Sequence, residues 1–303
     1  MKNGLRRQPR FGGPIHRFSL FTLHKKTMLL HVRHASEYTY DGPVALGPQT
    51  LYLYPRAYPY QRLLDYKLDI DPMPSRVVRN VDVEGNVQQL VYFNHPTRHL
   101  RVVAEIKLQS DEFNSFDFVL FPFETQRVPF RYREPVVDIL HPYLDRSLVT
   151  ERVETWARQI AAKADWQTTM FLTSLSEAIR EFTYEVRELG APYAPEQTLI
   201  LRKGSCRDYT TLFMAACRSM GIAARFVSGY LFGNPQQEHE LHAWAEVYLP
   251  GAGWRGFDPT EGSIVVNRHI FLTSTAKPEL AAPISGTFGG QANSVLKSEL
   301  EFI

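Results

Sequence analysis

Three short pieces of the sequence contain the residue types that cysteine-dependent catalysis uses. Cys206 lies in the run Gly204-Ser-Cys-Arg-Asp-Tyr209, directly before a mostly apolar stretch. His242 opens the run His-Ala-Trp-Ala-Glu, and Asp258 lies in the run Phe-Asp-Pro-Thr. A thiol at the start of a helix, followed by a histidine and an aspartate on two β segments, is the order typical of a cysteine–histidine–aspartate triad.

The expected position of Cys206 suits a nucleophile. A thiolate is a much better nucleophile than a thiol, and both a helix N-terminus and a neighbouring imidazolium favour the thiolate. The backbone N–H groups of the same helix start could bind a developing oxyanion. Gly204 has no side chain, so we expect it to let a substrate backbone approach closely.

Whether His242 and Asp258 meet depends on the turn between their strands. If Leu249-Pro250-Gly251 turns the chain, His242 lies directly opposite Asp258, and such residues have Cβ atoms about 5 Å apart. A loop of even length would instead place the two side chains on opposite faces of the sheet. The sequence permits the required turn, and the direct pairing is our prediction.

Some polar residues in and near these motifs have ordinary structural interpretations. Cys217 is expected to be a small buried apolar residue. Glu246 is expected to be an ion-pair partner rather than an acid–base group. Asp258 precedes Pro259 and, taken alone, could be a turn residue.

The start of the Cys206 helix carries its own capping signal. Ser205 can cap this helix, and Asp208 three residues later gives the carboxylate version of a capping box. We therefore expect Asp208 to order the nucleophile's helix start. Three aromatic residues are candidates for the oxyanion site or the cleft, although such residues are more often core or cleft wall than catalytic: Tyr184, Trp244 and Tyr230.

A metal site is the competing chemistry for the same residues, with His239 as a further ligand. Zinc sites contain close ligand pairs such as Cys-x-x-Cys or His-x-x-x-His. His239 and His242 have the tighter spacing His-x-x-His, which does not fit the i, i+4 arrangement on one helical face. We therefore predict no metal and no cofactor.

Composition places the chain among ordinary globular proteins. Its 303 residues are long for one domain and comfortable for two, and 44% hydrophobic with 22% charged residues is unremarkable. The formal net charge of +2 gives no indication of a nucleic-acid or membrane partner. No segment approaches the length of apolar sequence that a transmembrane helix needs.

The two ends of the chain differ from its body. Residues 1–27 contain seven Lys or Arg and no acidic residue, and we expect a basic, disordered extension or an over-long start, with Met28 opening the folded part. A nucleic-acid-binding arm or a transit peptide are the alternatives for this leader, which lacks the apolar core of a secretory signal. Residues 276–303 are rich in small residues and are expected to form a loose tail.

Cysteine usage indicates a reducing compartment. Cys206 and Cys217 are the two cysteines, and eleven positions on one helix would separate them by about 16 Å. Because a disulfide requires Cα atoms within about 7 Å, the two should remain free thiols. We therefore predict a cytoplasmic protein.

The elements that must position these residues follow an α+β order. Residues 28–108 alternate like short β strands and predict a small sandwich or curled sheet, and the step from Asp82 to Asn86 predicts a hairpin. Residues 109–149 contain prolines and many aromatics and predict a packed connector. Residues 150–275 predict helices followed by an antiparallel sheet, and this region contains Cys206, His242 and Asp258.

Helix signals locate three helices in that last region. Thr150 precedes an amphipathic run, Ser174 and Glu177 give a capping-box pattern, and Ser205 precedes the Cys206 helix. Gly221 is a stop signal for the third helix. Three β segments are then predicted at Ala224–Tyr230, His242–Leu249 and Trp254–Asp258.

Taken together, these motifs resemble the bacterial transglutaminase-like family. The matching segments are Gly204–Tyr209, Ser219–Tyr230, His242–Tyr248 and Gly253–Thr260. Residues 28–108 resemble the β domain that often precedes this core, on the residues His34, Tyr38, Tyr40, Pro43, Pro55, Arg56, Gly85 and Asn86. The resemblance covers residues 28–275.

The resemblance implies a papain-like, transglutaminase-like core of helices packed on an antiparallel sheet. It implies that Cys206 is the nucleophile, His242 the general base and acid, and Asp258 the residue that orients His242. The reaction it implies is acyl transfer from amides of peptides or proteins through a thioester. Tyr184 is a candidate oxyanion donor, because an aromatic residue precedes the cysteine in related enzymes.

The acceptor of the acyl group stays open at this stage. Water as acceptor gives a cysteine peptidase or amidase, which the mildly acidic body and the lack of a secretion signal favour. A lysine amine as acceptor gives a transglutaminase. A papain-like scaffold that only binds peptides is the non-catalytic alternative, and the β domain could recruit a protein partner in any of these cases. The sequence does not indicate an oligomeric state.

Overall fold

A computed structural model describes residues 26–187, 190–233 and 241–303, and within them the chain forms a β domain and an α+β core. Almost all of the basic leader lies outside the described residues, so its interpretation stays a prediction. In the part of the chain that the structure describes, no helix combines the length and the apolar character needed to cross a bilayer.

The N-terminal domain is an antiparallel sheet organised around one long strand. Its strands are β1 (Thr27–Leu51), β2 (Gln61–Asp71), β3 (Arg76–Val81), β4 (Val87–Tyr92) and β5 (Thr97–Asp111). They are ordered β2-β5-β1-β4-β3. The pairing of β1 with β5 shifts register between Thr39 and Val44, and beyond that point β1 pairs with β4. One strand therefore serves both halves of a curled sheet, as the alternating pattern predicts.

The hairpin between β3 and β4 is also where the sequence places it. Gly85 has a φ of +83°, a left-handed conformation that glycine adopts without a steric cost. The carboxylate of Asp82 accepts hydrogen bonds from the backbone N–H groups of Glu84 and Asn86, which fixes the turn.

The prediction of a loose C-terminal tail is wrong. Residues 276–303 contain a short 3-10 helix, Pro278–Leu280, and two strands, β13 (Ile284–Gly289) and β14 (Ser294–Phe302), which pair with β1. The chain thus returns from the core and completes the N-terminal sheet. In β14 only Leu300 is buried, so the strand lacks the apolar alternation that would have revealed it.

The connector is packed, as its aromatic content predicts. It contains two 3-10 helices, Phe123–Gln126 and His141–Leu144, and helix α1 (Val136–Leu140). The buried hydroxyl of Tyr132 donates to the backbone carbonyl of Tyr248 at 2.7 Å and accepts from the N–H of Ala223 at 2.9 Å. These contacts fix the connector against the core.

The core places helices on one antiparallel sheet. The helices are α2 (Glu151–Lys163), α3 (Thr168–Arg180), α4 (Pro195–Leu201) and α5 (Cys206–Ser219). The sheet strands are β8 (Ala224–Leu231), β9 (His242–Leu249), β10 (Gly253–Asp258), β11 (Ser263–Ile264) and β12 (His269–Thr275), ordered β11-β10-β9-β8-β12. Two short strands, β6 (Thr183–Tyr184) and β7 (Lys203–Gly204), pair in parallel before α5. The α+β prediction is confirmed.

Two of the three predicted helix starts are correct. The hydroxyl of Thr150 accepts from the N–H of Val153 at the start of α2, and α5 begins at Cys206. Helix α3 begins at Thr168 rather than at Ser174. Its first turns include Phe171 and Leu172, which are fully buried, and this burial outweighs the local capping signal.

The β domain and the core share one buried interface. Its apolar cluster consists of Leu30, Val32, Ile106, Leu108 and Leu300 from the β domain and Tyr230, Ile270 and Leu272 from the core. Asn86 adds two hydrogen bonds across the interface, one to the carbonyl and one from the N–H of Ser274. The β domain is therefore docked on strand β12 of the core sheet.

Candidate active site

His242 and Asp258 form a short hydrogen bond in the interior. The Nε2 of His242 lies 2.7 Å from the Oδ2 of Asp258, and the residues are 1% and 0% exposed. The other carboxylate oxygen accepts from the backbone N–H groups of Thr260 at 2.9 Å and Glu261 at 3.2 Å. The Asp-Pro-Thr turn thus holds the carboxylate against the imidazole.

The register that brings them together differs from the predicted one by two residues. Leu249 pairs with Gly253 and Ala245 with Phe257, so three residues, 250–252, form the turn. An odd turn keeps His242 and Asp258 on the same face, as the triad requires. The prediction that they lie directly opposite is wrong, and their side chains meet diagonally instead.

Cys206 is the first residue of α5 and faces the same imidazole. It is 3% exposed, and its side chain interacts with that of His242. Among the described residues, no group makes a hydrogen bond of normal geometry to the Nδ1 of His242, and Cys206 is the thiol whose side chain interacts with this ring. The histidine therefore presents Nε2 to the carboxylate and leaves Nδ1 for the thiol.

The electrostatics favour a charged imidazole. Burial alone lowers the pKa of His242, but the charge and hydrogen bond of Asp258, together with Cys206, raise it to about 10. Burial likewise opposes ionisation of Asp258, yet His242 and His269 hold the pKa of its carboxyl well below the usual range. An imidazolium beside Cys206 would stabilise a thiolate at that position.

The capping box at the nucleophile helix is present. The Oδ2 of Asp208 accepts from the backbone N–H of Ser205 at 2.7 Å and from its hydroxyl at 2.9 Å. Asp208 is fully buried. Ser205 is thereby fixed directly before Cys206 at a helix start, where backbone N–H groups that the cap does not use can bind an anionic group.

Asp208 also ties a preceding segment to the helix start. Its Oδ1 accepts from the guanidinium of Arg187 at 2.7 Å and from the N–H of Tyr193 at 2.6 Å. The Arg187 guanidinium lies over the ring of Tyr193, 3.6 Å from its centroid. The backbone around the nucleophile is therefore braced by one buried carboxylate.

Gly204 has a different role from the one expected. A Cβ at this position would lie 2.7 Å from the Cβ and 2.9 Å from the Oδ2 of Asp208. The missing side chain makes room for Asp208, so the expectation that it makes room for a substrate backbone is not supported. The glycine is part of the same capping arrangement.

Glu246 lies in a structural ion pair, as expected. Its Oε2 accepts from the Nε of Arg225 at 2.7 Å and lies 2.6 Å from the Nη2 of the same residue. Arg56 of the β domain lies 3.8 Å away. Glu246 and Arg225 are both buried, and the pair links two strands of the core sheet.

The three aromatic candidates occupy different places. Trp244 is fully buried and lies against His242 with ring centroids 6.0 Å apart, so it is a wall of the site. Tyr184 pairs with Gly204, two residues before Cys206, and its ring contacts Tyr209. This position keeps Tyr184 as a candidate beside the nucleophile.

Tyr230 does not belong to the cleft. Its hydroxyl lies 2.9 Å from the Nδ1 of His34 in the β domain, and its ring belongs to the apolar interface between the domains. Its expected role in the cleft or the oxyanion site is therefore corrected. Tyr230 lies near the end of β8, where its side chain packs on the β domain.

Sequence reasoning missed His269. This residue opens β12, and its Nε2 lies 3.0 Å from the Oδ2 of Asp258. No motif surrounds it, and β12 itself was not predicted. A search for histidines on the strand after the aspartate turn could have found it.

The potential metal ligands that the structure groups together differ from the four residues considered in the sequence analysis. His239 lies outside the described residues. Within the described ranges, one group of potential ligands has its donor atoms within 4.8 Å of one another, namely His242, Asp258 and His269. Each of the two histidines lies within hydrogen-bond distance of Asp258, and the His242–Asp258 bond is the one that the triad interpretation requires.

Cys217 shows the contrast between the two thiols. It lies inside α5, is fully buried, and burial raises the pKa of its thiol well above the usual value. Both cysteines are free. Only Cys206 lies at a helix start next to a histidine.

Comparison with known families covers both domains. Residues 30–109 match the bacterial transglutaminase-like N-terminal region, and residues 154–259 match the transglutaminase-like superfamily. The second match contains Cys206, His242 and Asp258.

Individual proteins are also similar to this chain in sequence or in structure. An uncharacterised protein of Mycobacterium tuberculosis is 25% identical over 288 residues, which covers 90% of this chain and 91% of that protein. A protein-glutamine gamma-glutamyltransferase of Pseudomonas aeruginosa is 32% identical over 87 residues, 26% of this chain and 13% of that protein. The crystal structure of a "Putative Cysteine Protease" from Cytophaga hutchinsonii superposes with a TM-score of 0.65 at 20% identity, covering 92% of this chain and 93% of that one.

Proposed function

We propose that this chain, which belongs to the transglutaminase-like superfamily, is a thiol-dependent enzyme that acts on amide bonds of peptides or proteins. The observation that carries the proposal is the chain of contacts from Cys206 to His242 to Asp258 at the start of α5. A buried carboxylate that orients a histidine next to a thiol is the arrangement that activates a cysteine nucleophile.

The proposed reaction has two steps, formation of a thioester on Cys206 and transfer of the acyl group to an acceptor. The Cys206 thiolate attacks the amide carbonyl carbon, and the N–H groups at the start of α5 stabilise the oxyanion, with Tyr184 as a second candidate donor. The His242 imidazolium gives its proton to the leaving amine, and a thioester forms. The neutral imidazole then takes a proton from the acceptor, which attacks the thioester and releases Cys206.

We propose water as the usual acceptor. Cys206 and His242 are almost fully buried by the described residues, and water reaches such a thioester more easily than a lysine amine carried by another protein. The second candidate is transamidation of protein glutamine, which the partial similarity to a protein-glutamine gamma-glutamyltransferase favours. A peptide-binding scaffold without catalysis would not need the intact residue set.

The compartment is part of the proposal. Two free, buried thiols without a disulfide favour a reducing environment such as the cytoplasm. Fractionation of cells that produce the protein would show whether it is found there.

The acceptor can be tested on a mixture of peptides from digested casein. The full-length protein and Cys206→Ala are incubated with the peptides, with and without a biotin-linked primary amine, and the products are identified by mass spectrometry. We expect new peptide ends or deamidated glutamine in the wild type alone. Dominant amine incorporation would establish the transamidase instead, and peptide binding without any Cys206-dependent product would establish the scaffold.

A further inference from the structure

Asp258 accepts hydrogen bonds from two histidines through a single oxygen. Its Oδ2 lies 2.7 Å from the Nε2 of His242 and 3.0 Å from the Nε2 of His269. Its Oδ1 is occupied by two backbone N–H groups of the Asp-Pro-Thr turn. All three side chains are buried, so the carboxylate is fully enclosed by four donors.

We propose that His269 is a positioning residue for the reaction, an inference that rests on the function proposed above. The backbone of the turn holds only Oδ1, which leaves rotation about the Cβ–Cγ bond of Asp258 to be restricted by contacts at Oδ2. The second imidazole adds another contact at Oδ2 and so helps to hold this oxygen against the Nε2 of His242. His269 thereby acts on the nucleophile through Asp258 and His242, without contact to the substrate.

The surroundings of His269 suit a donor at Nε2. Its Nδ1 lies 3.4 Å from the N of Val266, whose N–H can donate to it, and 3.2 Å from the carbonyl oxygen of the same residue, which also accepts from the backbone N–H of His269. An ionised Asp258 can only accept at Oδ2, so the contact at Nε2 requires the proton there whichever contact Nδ1 makes. Trp244 contacts the rings of both histidines, at centroid distances of 5.1 Å for His269 and 6.0 Å for His242, and this packing keeps the two imidazoles on either side of Asp258.

A surface pair also holds His269 near the aspartate turn. The guanidinium of Arg268 lies 2.6 Å from the carboxylate of Glu261. Glu261 is one of the two residues whose backbone N–H binds Asp258. The turn after β10 is therefore linked to the start of β12 twice, by the Arg268–Glu261 ion pair and by the His269–Asp258 contact.

The β domain supports the strand that carries His269. Gln61 donates from its side chain to the backbone carbonyl of His269. Tyr58 stacks on Phe271 with a centroid distance of 4.0 Å, and Asn86 binds the backbone of Ser274. The N-terminal domain would therefore contribute to the site by fixing β12, in addition to any role in recruiting a partner.

The test compares His269→Gln with His269→Met in the full-length protein. The two new side chains are similar in size, but only glutamine has an N–H that can donate to Asp258. The rate of iodoacetamide reaction at Cys206 is measured by mass spectrometry from about pH 5 to about pH 9, a range that spans the free thiol value. Buried Cys217 reports unfolding, and His99→Met removes an exposed histidine that lies 2.8 Å from Asp71.

A hydrogen bond to a charged group is worth about a 10- to 100-fold effect. We expect His269→Met to slow the reaction of Cys206 at about pH 6 by this factor and to move its pH profile towards that of a free thiol. His269→Gln should retain most of the rate, and His99→Met all of it. The proposal would be overturned if both His269 variants had the same pH profile of Cys206 alkylation as the wild type.

A wild-type measurement covers the case in which His269→Met unfolds and exposes Cys217. Nitrogen-15 NMR of the histidine rings should show His269 protonated at Nε2, and a bare Nε2 would overturn the proposal. A wild type without low-pH reactivity at Cys206 would refute the proposed function as well. If Cys206 of the wild type reacts at low pH and Cys206 of the His269 variants reacts at the same rate, only the role of His269 is refuted.

Discussion

The Nε2 of His242 lies 2.7 Å from the Oδ2 of Asp258 although the two residues are not directly opposed on their strands. The turn of three residues between β9 and β10 places them diagonally on the same face. Asp258 lies at the end of β10, where the following turn binds its other oxygen. The contact therefore depends on the parity of the turn and on the Asp-Pro-Thr run together.

Replacement of Asp258 by asparagine should remove the charge that holds His242 protonated. We expect the rate of Cys206 alkylation at about pH 6 to fall about tenfold or more, because burial alone lowers the pKa of His242 and a neutral imidazole no longer stabilises the thiolate. The rate is measured with iodoacetamide, and circular dichroism checks that the fold is retained. An unchanged rate in a folded Asp258→Asn protein would show that the carboxylate does not tune the site.

The His242–Asp258 pair should also make stability depend on pH. The folded-state pKa of His242 is raised from 6.5 to about 10, so its contribution is complete below about pH 6.5 and is lost as the pH rises towards 10. The pKa of Asp258 is lowered, so its contribution is present above about pH 4 and is lost on acidification.

This dependence can be measured against His242→Gln. The difference in free energy of unfolding between wild type and variant should be largest between about pH 4 and pH 6.5 and should shrink by a few kcal/mol as the pH approaches 10. Urea unfolding at a series of pH values gives the difference. A difference that stays constant above pH 6.5 would mean that His242 is not charged in the folded state.

Glu246 provides a control on the same strand as His242. Glu246→Gln leaves the buried Arg225 without a charged partner and should lower the free energy of unfolding by about 3 kcal/mol. The pH profile of Cys206 alkylation should stay that of the wild type, because Glu246 contacts Arg225 and Arg56 rather than the site. A shifted profile would give Glu246 a role in the chemistry.

The helix start that carries Cys206 should be sensitive to a single methyl group. In Gly204→Ala the new Cβ would lie 2.7 Å from the Cβ of Asp208, which must displace the capping carboxylate. We expect a loss of about 1–3 kcal/mol of stability and slower alkylation of Cys206 at about pH 6. Gly253→Ala, where a Cβ meets no atom within 4 Å but φ is +75°, controls for backbone strain alone.

The parts of the fold that local patterns determine could be predicted from the sequence. The start of α5, the β segment His242–Leu249 and the capping box of Ser205 and Asp208 depend on residues close in sequence, and all three are found. The parity of the turn between β9 and β10 was also correct. The two-residue register error arose because turn length is weakly coded when Pro250 and Gly251 allow several turns.

The parts that depend on distant contacts could not be predicted. Strand β14 is recognisable only from its pairing with β1, since it has one buried residue. Tyr230 faces His34 and His269 faces Asp258 because the sheet and the β domain bring them together. No spacing of residues in the sequence indicates these contacts.

The most direct test of the account is the pH dependence of iodoacetamide labelling at Cys206 and Cys217, in the wild type and in His242→Ala. The comparison tests the contribution of the imidazole, because the wider access that His242→Ala gives to Cys206 would speed the labelling rather than slow it. The account predicts rapid labelling of wild-type Cys206 at about pH 6 and, in the variant, labelling only near the free-thiol value of about pH 8.5. Labelling of wild-type Cys206 only above about pH 8, or no faster than Cys217, would contradict the thiolate–imidazolium pair.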